Sequence, residues 1–566
     1  MLPFVHDRIS PPQIVASEDA IPWAASYDVV VVGFGGAGVV AALEALDKGA
    51  QVALVERFEP GGATAISGNV VYAGGGTRYQ RQNNIFDSPE NMFAYLKQEV
   101  GEVVTDHTLR AFCEGSAGMI DWLERQGVTF GGAYFPGKTA LPPGLYSLYH
   151  SGNELGLRFR DQAKPAPRGH RARHPRKRRS PSSGRPDLFA PLKRAALDKG
   201  AVPYLLCEVV RLLQDVSGRV IGVEMLRLPP KSNAARRFCR YMRRARACHL
   251  SRPDKARAAR QKALEIEAGA PRERVFLKAR KAVILATGGF VFNRDMMAHY
   301  APSYARGFPL GTAGCNGSGI ALGQSVGGAT AHMQRVSAWR FINPPQNWIR
   351  GVLVDGDGRR LDDESQYGGT LGEAICEKGQ GRGYLILDAD LVRATWRELW
   401  HIRNLLGRRM TGLQWLLGVV NMMFNCQKAA DLAGLAGKLG IPAAALQATV
   451  DEYNQAVLKG EDDLYRKDPA HMARLQAPPY YALDMSITSS VYPMATLTLG
   501  GLVVAEESGL VLREDGRPVR GLYAVGRAAV GICSRSYVSG LSLADCVFSG
   551  RRAARHAVGA GHGNIP

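Results

Sequence analysis

Tyr27-Asp-Val-Val-Val-Val-Gly33-Phe-Gly35-Gly-Ala-Gly38 is an apolar run that ends in Gly-x-Gly-x-x-Gly, with a helix-compatible segment after it. A second apolar run, Gln51 to Val55, leads into an acid, Glu56, 23 residues beyond Gly33. A strand, a tight glycine turn, a helix and a second strand make the unit that binds a dinucleotide. Gly33 permits the turn, Gly35 lets the backbone approach a pyrophosphate, and Gly38 lets the helix pack on the strand. The free N–H groups and positive dipole of the helix start suit phosphates. Glu56 stands where a carboxylate accepts from a ribose hydroxyl. The triplet alone is a weak signal; the strand, helix and spaced acid make it specific.

The residues after Glu56 select the dinucleotide. Gly61-Gly62-Ala63-Thr64-Ala65-Ile66-Ser67-Gly68 is a second small-residue loop, placed to run along the pyrophosphate, and nicotinamide enzymes need none here. Read alone it is also compatible with a plain surface turn. Two later strand-like runs end in small-residue turns: Ala282-Val-Ile-Leu-Ala286-Thr287-Gly288-Gly289 and Gly521-Leu-Tyr-Ala-Val-Gly526-Arg527. With Gly540-Leu-Ser542-Leu543 through Arg552, these segments resemble the FAD-binding flavoproteins of the fumarate reductase and succinate dehydrogenase type. The resemblance runs from about Tyr27 to about His556, two basic stretches excepted. It implies FAD held by Gly33, Gly35, Gly36, Ala37, Gly38, Glu56 and Arg57, and along the second loop by Gly62, Ala63, Thr64, Ser67 and Gly68. Ala286, Thr287, Gly288, Gly526, Arg527, Gly540, Ser542 and Leu543 close over it. Succinate dehydrogenases carry a flavin-linking histidine in the second loop; none occurs between Gly61 and Gly68, so the FAD is expected to be noncovalent.

The order of motifs predicts an α/β fold, a Rossmann-like FAD-binding domain with an inserted α+β catalytic domain that caps the substrate. The FAD domain is assigned to 24–330 and 490–566, the inserted domain to 331–489. Asp357-Gly358 reads as a turn joining two strands. Leu391 to Ala436 is apolar at near-helical spacing, and Pro442 opens a clear helix.

With 566 residues the chain can bury a large core. Its nine cysteines are scattered, with no CxxC pair and no metal-like cluster, so a reducing compartment is expected and no metal. The first residues lack a signal-peptide apolar core, and the longest apolar run, Leu413 to Phe424, is too short to cross a bilayer. A cytoplasmic protein is expected. The net charge of +20 is local. Lys164 to Arg185 holds nine Lys or Arg and no acid; Lys231 to Lys262 holds twelve with one acid, Asp254. These two insertions, 164–185 and 231–262, account for the whole excess. Solvated loops or a surface helix explain them. Attraction to anionic headgroups, hence peripheral membrane association, is the alternative. No nucleic-acid module or aromatic interleaving is present, so no nucleic acid is expected.

In flavoproteins of this type the substrate sits between the flavin and the inserted domain. Fumarate reductases resemble this chain from Arg350 to Glu364, then continue Thr-Arg-Asp, with the arginine as catalytic acid. Here the chain reads Glu364-Ser-Gln-Tyr367-Gly368. A two-carboxylate substrate needs cations to clamp it, so the change argues against fumarate. A tyrosine there resembles the 3-ketosteroid dehydrogenases. These polarise a ketone, remove the α-proton and pass a hydride from the next carbon to flavin N5. Tyr537-Val-Ser539-Gly540 followed by Ser-Leu is similar to the Δ4-(5α) enzymes, not to the Tyr-Pro-Gly-Pro-Gly of Δ1 enzymes. The resemblance implies Tyr367, Tyr537 and Ser539 as catalytic residues. Ser539 with Tyr537 would move the C4 proton, while Tyr367 polarises the ketone or relays the proton. A steroid-like apolar substrate and a separate electron acceptor follow. Alternatives are a Δ1-dehydrogenase, a fumarate-reductase-like reductase of an activated alkene, or plain packing roles for both tyrosines.

Overall fold

Val29 to Val32 are almost fully buried on both strand faces, which only a central strand with layers on each side allows. The computed structural model, which describes residues 6–144, 146–173, 187–249, 251–401, 410–461 and 463–559, provides those layers. Strand Trp23–Val32 pairs in parallel with Val52–Glu56 on one side and with the long strand Glu273–Leu285 on the other. The latter also pairs with Val220–Arg227 at its start and Pro518–Ala524 at its end, within a nine-stranded sheet. The segment Ala282–Leu285 and the C-terminal strand thus deliver their glycine turns beside the first one. Helix Gly36–Asp47 covers one face and packs on the last helix, Leu541–Gly559.

Two smaller four-stranded sheets carry the rest of the site. One joins Val352–Val354, Tyr384–Leu387, Tyr480–Asp484 and Cys426–Ala429. The other orders Val70–Tyr72, Gly169–Arg171, Leu148–His150 and Tyr134–Lys138. The turn at Asp357-Gly358 forms, with Gly358 at φ +78°, but only a single bridge, Val354 to Arg360, follows it. Val336–Trp339 pairs instead with Ala495–Thr498, tying the two ends of the intervening segment together. The helix after Pro442 spans Ala443–Lys459. Among the described residues no helix is long and apolar enough to cross a membrane.

The two basic stretches are not alike. Residues 164–173 are no solvated loop. Arg168 is fully buried and grips Asp87 through two hydrogen bonds of 3.0 and 2.8 Å, and Arg171, also buried, lies in a sheet strand. The carboxylate that makes burial affordable comes from 81 residues away, which composition does not reveal. Residues 174–185 lie outside the described residues. The second stretch is a helical hairpin, Asn233–Cys248 and Pro253–Gly269. Its inner side docks Phe238 on Phe58, rings stacked with centroids 5.8 Å apart, while Arg236, Arg237, Arg240 and Arg244 face out.

Candidate active site

The glycine turns meet along a cleft of about 880 Å³, counted out into open solvent. Gly33 has φ +110°, and a Cβ there would lie 2.6 Å from the Ala286 carbonyl oxygen. A Cβ at Gly38 would strike the Gly33 oxygen, so that glycine is the helix-to-strand contact. Gly35 and Gly62 face each other across open space; a Cβ on Gly35 meets nothing nearer than the Gly62 Cα at 4.0 Å. That gap is where backbone can approach a phosphate. Gly36, Ala37, Ala63 and Thr64 line the same wall, and Ala286, Thr287, Gly288 and Arg527 the other. Glu56 sits at one end, its oxygens accepting from the N–H groups of Phe34 (3.0 Å) and Phe58 (2.9 Å). Arg57 lines the cleft but its guanidinium is committed to Glu267 and Glu208. Buried Arg527 Nη1 and Thr287 Oγ1 have no hydrogen-bond partner among the described residues. Two unspent donors beside a glycine gap fit a dinucleotide.

The remaining expected cofactor residues stand behind or beside the cleft. Ser67 folds back on the Thr64 carbonyl (2.8 Å), and Gly68 packs toward Leu141. Gly526, at φ +56°, backs onto Ala37. Gly540, at φ +93°, accepts from Tyr72 N–H and turns the chain into the helix whose first turn holds Ser542 and Leu543. Sequence reasoning missed two parts of the cleft. One is Cys207-Glu208-Val209 on an adjoining strand; the other is Thr312 to Ser318, whose neighbourhood holds glycines at 311, 314, 317 and 319 and could have been flagged by them.

The three expected catalytic residues do converge. Glu364 anchors the first. Its buried carboxylate takes Arg360 (3.0 and 2.8 Å), Lys467 (2.7 Å) and the Leu353 N–H (2.8 Å), which holds it at about pKa 2 against the cost of burial. Three residues on, Tyr367 donates its own N–H to Asn153 Oδ1 (2.5 Å) and starts helix Gly368–Glu373. Its ring is buried against Phe341, and its hydroxyl meets the Ser539 hydroxyl. Ser539 is set by its N–H, which donates to the Ser151 carbonyl. A fourth hydroxyl, missed in the sequence, completes the cluster: Tyr149 Oη lies 3.3 Å from Ser539 Oγ. Tyr537 stands apart from that contact. Its ring stacks on Trp339 at 5.4 Å, and its hydroxyl accepts from the Gly540 N–H at 3.3 Å. Burial raises the pKa of all three phenols, Tyr149 to about 12, so each is protonated at neutral pH. The site is thus a set of neutral hydroxyl donors walled by Trp339 and Phe341. At 365–367 there is no guanidinium; buried Arg340 is spent on the carbonyls of Tyr492 (2.6 Å) and Ser486 (2.9 Å).

The family described as "FAD binding domain" matches residues 28–540. The 3-oxo-5-alpha-steroid 4-dehydrogenase of Comamonas testosteroni is 36% identical over 525 residues, covering 90% of this chain and 94% of that one. The chain belongs to the FAD-dependent 3-oxosteroid dehydrogenases. A solved 3-ketosteroid-delta4-(5alpha)-dehydrogenase from Rhodococcus jostii RHA1, in complex with 4-androstene-3,17-dione, superposes on this dehydrogenase with TM-score 0.78. It is 29% identical and covers 97% of this chain and 100% of its own. The fold is shared more widely. The 3-ketosteroid delta1-dehydrogenase of Sterolibacterium denitrificans gives TM-score 0.65 at 20% identity, covering 95% of this chain and all of that one. This dehydrogenase is therefore an FAD-dependent oxidoreductase acting on CH–CH groups, and the cleft from Gly33 to Arg527 is the one that fits FAD.

Proposed function

We propose that this enzyme introduces the C4–C5 double bond of a 3-oxo-5α-steroid, with Ser539, Tyr149, Tyr367 and Tyr537 as the groups that meet the substrate and segment 331–489 as its cap. The observation that carries the reading is the Ser539 hydroxyl 3.3 Å from the buried, protonated Tyr149 phenol, with the buried Tyr367 phenol beside it. FAD, when bound, supplies the acceptor for the hydride from C5. The rest falls to the chain. Tyr537 Oη accepts the Gly540 N–H at 3.3 Å and keeps its own proton to donate to a ketone oxygen. Donors aimed at a developing enolate are worth about 3–4 kcal/mol each. Ser539 Oγ takes the C4 proton as its own proton passes to Tyr149 or Tyr367 and that phenol's hydroxyl proton passes on to solvent, since a serine hydroxyl without such a relay is too weak a base. Trp339 and Phe341 exclude water and present an apolar wall to fused rings. The absence of a guanidinium at 365–367 disfavours the alkene-acid reductase reading. Turnover calls for a separate electron acceptor. Mixing the holoenzyme with a 3-oxo-5α-steroid and an artificial acceptor, then locating the new double bond, tests the proposal. A Δ4 product is expected; a Δ1 product, or none, contradicts it.

A further inference from the structure

Of the twelve large apolar side chains exposed among the described residues, five lie together: Leu413, Leu416, Met423 and Phe424 on helix Gly412–Phe424, and Trp400 beside it. The other seven are scattered along the chain. The helix has thirteen residues and no charge on any face. Its spacing puts Leu413, Leu416, Leu417, Val420, Met423 and Phe424 in one outward stripe. The inward side is firmly packed. Trp415 Nε1 donates to the Leu399 carbonyl (3.1 Å), a Cβ on Gly418 would already press on Leu399, and Gln414 donates to Thr139 and the Leu141 carbonyl. The exposed stripe is therefore not a helix that failed to dock; it has a buried face and presents a second, apolar one to solvent. Contiguous patches of this kind mark interaction surfaces.

We propose that this stripe docks on an anionic lipid surface. A thirteen-residue helix is about 20 Å long, too short to span a bilayer, and suited to lie in its interface. Trp400, 57% exposed, belongs at headgroup level. The border is mixed but net basic in its free groups. Arg397 on the adjoining helix Ala389–Leu399 and Lys428 just past the stripe are exposed. Arg393 is paired with Asp390, and Glu398 caps the N–H groups of Gln346 and Asn347. A second copy would bring the same exposed Arg397 and Lys428 to the face; anionic headgroups bring the opposite charge. Gln414 also ties the helix to the loop that joins strands Tyr134–Lys138 and Leu148–His150, and Tyr149 lies on the second of these. The lipid face thus adjoins the catalytic sheet. Delivery of an apolar steroid from the bilayer rests on the proposed function; the docking does not.

The test is flotation of the FAD-loaded enzyme with vesicles of equal parts phosphatidylcholine and phosphatidylglycerol. Wild type is expected to float, and to release only in part at high salt, because apolar burial is not screened. Leu416→Glu with Phe424→Glu should weaken partition by about tenfold or more per side chain, with thermal midpoint and turnover of a dissolved steroid unchanged. Arg237→Gln with Arg240→Gln and Arg244→Gln, on the basic hairpin, should float nearly as wild type. Three results would overturn the proposal: no flotation of wild type at low salt, loss of flotation in the hairpin variant alone, or a dimer in sedimentation velocity that Leu416→Glu dissolves without any vesicle binding. Flotation without steroid turnover would instead count against the proposed function.

Discussion

Tyr149→Phe removes one oxygen from the cluster around Ser539, and the structure sets the size of the effect. If Tyr149 only steadies the serine, its loss costs one hydrogen bond of about 0.5–1.5 kcal/mol, or roughly two- to tenfold in rate. If it receives the serine proton, the loss approaches the roughly 10²- to 10⁴-fold of a general acid–base group. Ser539 has two phenol neighbours, Tyr149 at 3.3 Å and Tyr367, so either can carry the proton when the other is gone. Each single Phe variant is therefore expected to slow C4 proton removal by about tenfold. The double variant should fall by about 10³ or more, well beyond the product of the singles. Anaerobic stopped flow, following flavin bleaching by a 3-oxo-5α-steroid, reads this step directly. FAD content should stay at wild-type level, since neither phenol lines the dinucleotide cleft. A double variant that bleaches at the wild-type rate would refute the relay. Strict additivity would refute the shared role of the two phenols.

Other outcomes follow from the same geometry. Acid precipitation should leave the flavin in the supernatant, and Gly35→Leu should yield colourless protein, because its side chain fills the gap facing Gly62. Glu364→Gln leaves buried Lys467 without a carboxylate, Arg360 retaining only Asp463, and should cost about 3–5 kcal/mol in urea unfolding. In wild type the Glu364 carboxylate is depressed to about pKa 2, so its contribution is present at neutral pH and lost only as pH falls toward that value. Glu154 runs the other way. Burial pushes its carboxyl from 4.5 up to about 7, so the folded state holds a proton that the unfolded chain releases earlier. Stability should therefore fall as pH rises from about 4.5 to about 7, by up to about 3 kcal/mol, and Glu154→Gln should flatten that slope in urea titrations.

What the sequence made legible was local. The Gly33 turn, the Gly38 contact and Glu56 all fall within one strand-helix-strand unit, where residue type and spacing decide geometry. Tyr367 and the Tyr537–Gly540 turn stood out because their neighbours in sequence carry a pattern. Tyr149 had no such frame. Its contact with Ser539 spans 390 positions and leaves no trace in either neighbourhood. The same holds for Arg168, whose charge suggested solvent until Asp87 supplied a buried partner. The pairing of Val336–Trp339 with Ala495–Thr498 was hidden for a similar reason: the partner strand lies far along the chain. The apolar run from Leu413 to Phe424 was read by length alone, which excludes a membrane span but does not tell which face the fold leaves uncovered.

The most direct test of the central claim is the position of the hydride that leaves. In anaerobic stopped flow, a 3-oxo-5α-steroid deuterated at C5 should show a primary isotope effect on flavin bleaching, and the C1-deuterated steroid should show none. A primary effect at C1 with none at C5 would contradict the account and place the enzyme's chemistry on the other side of the ketone.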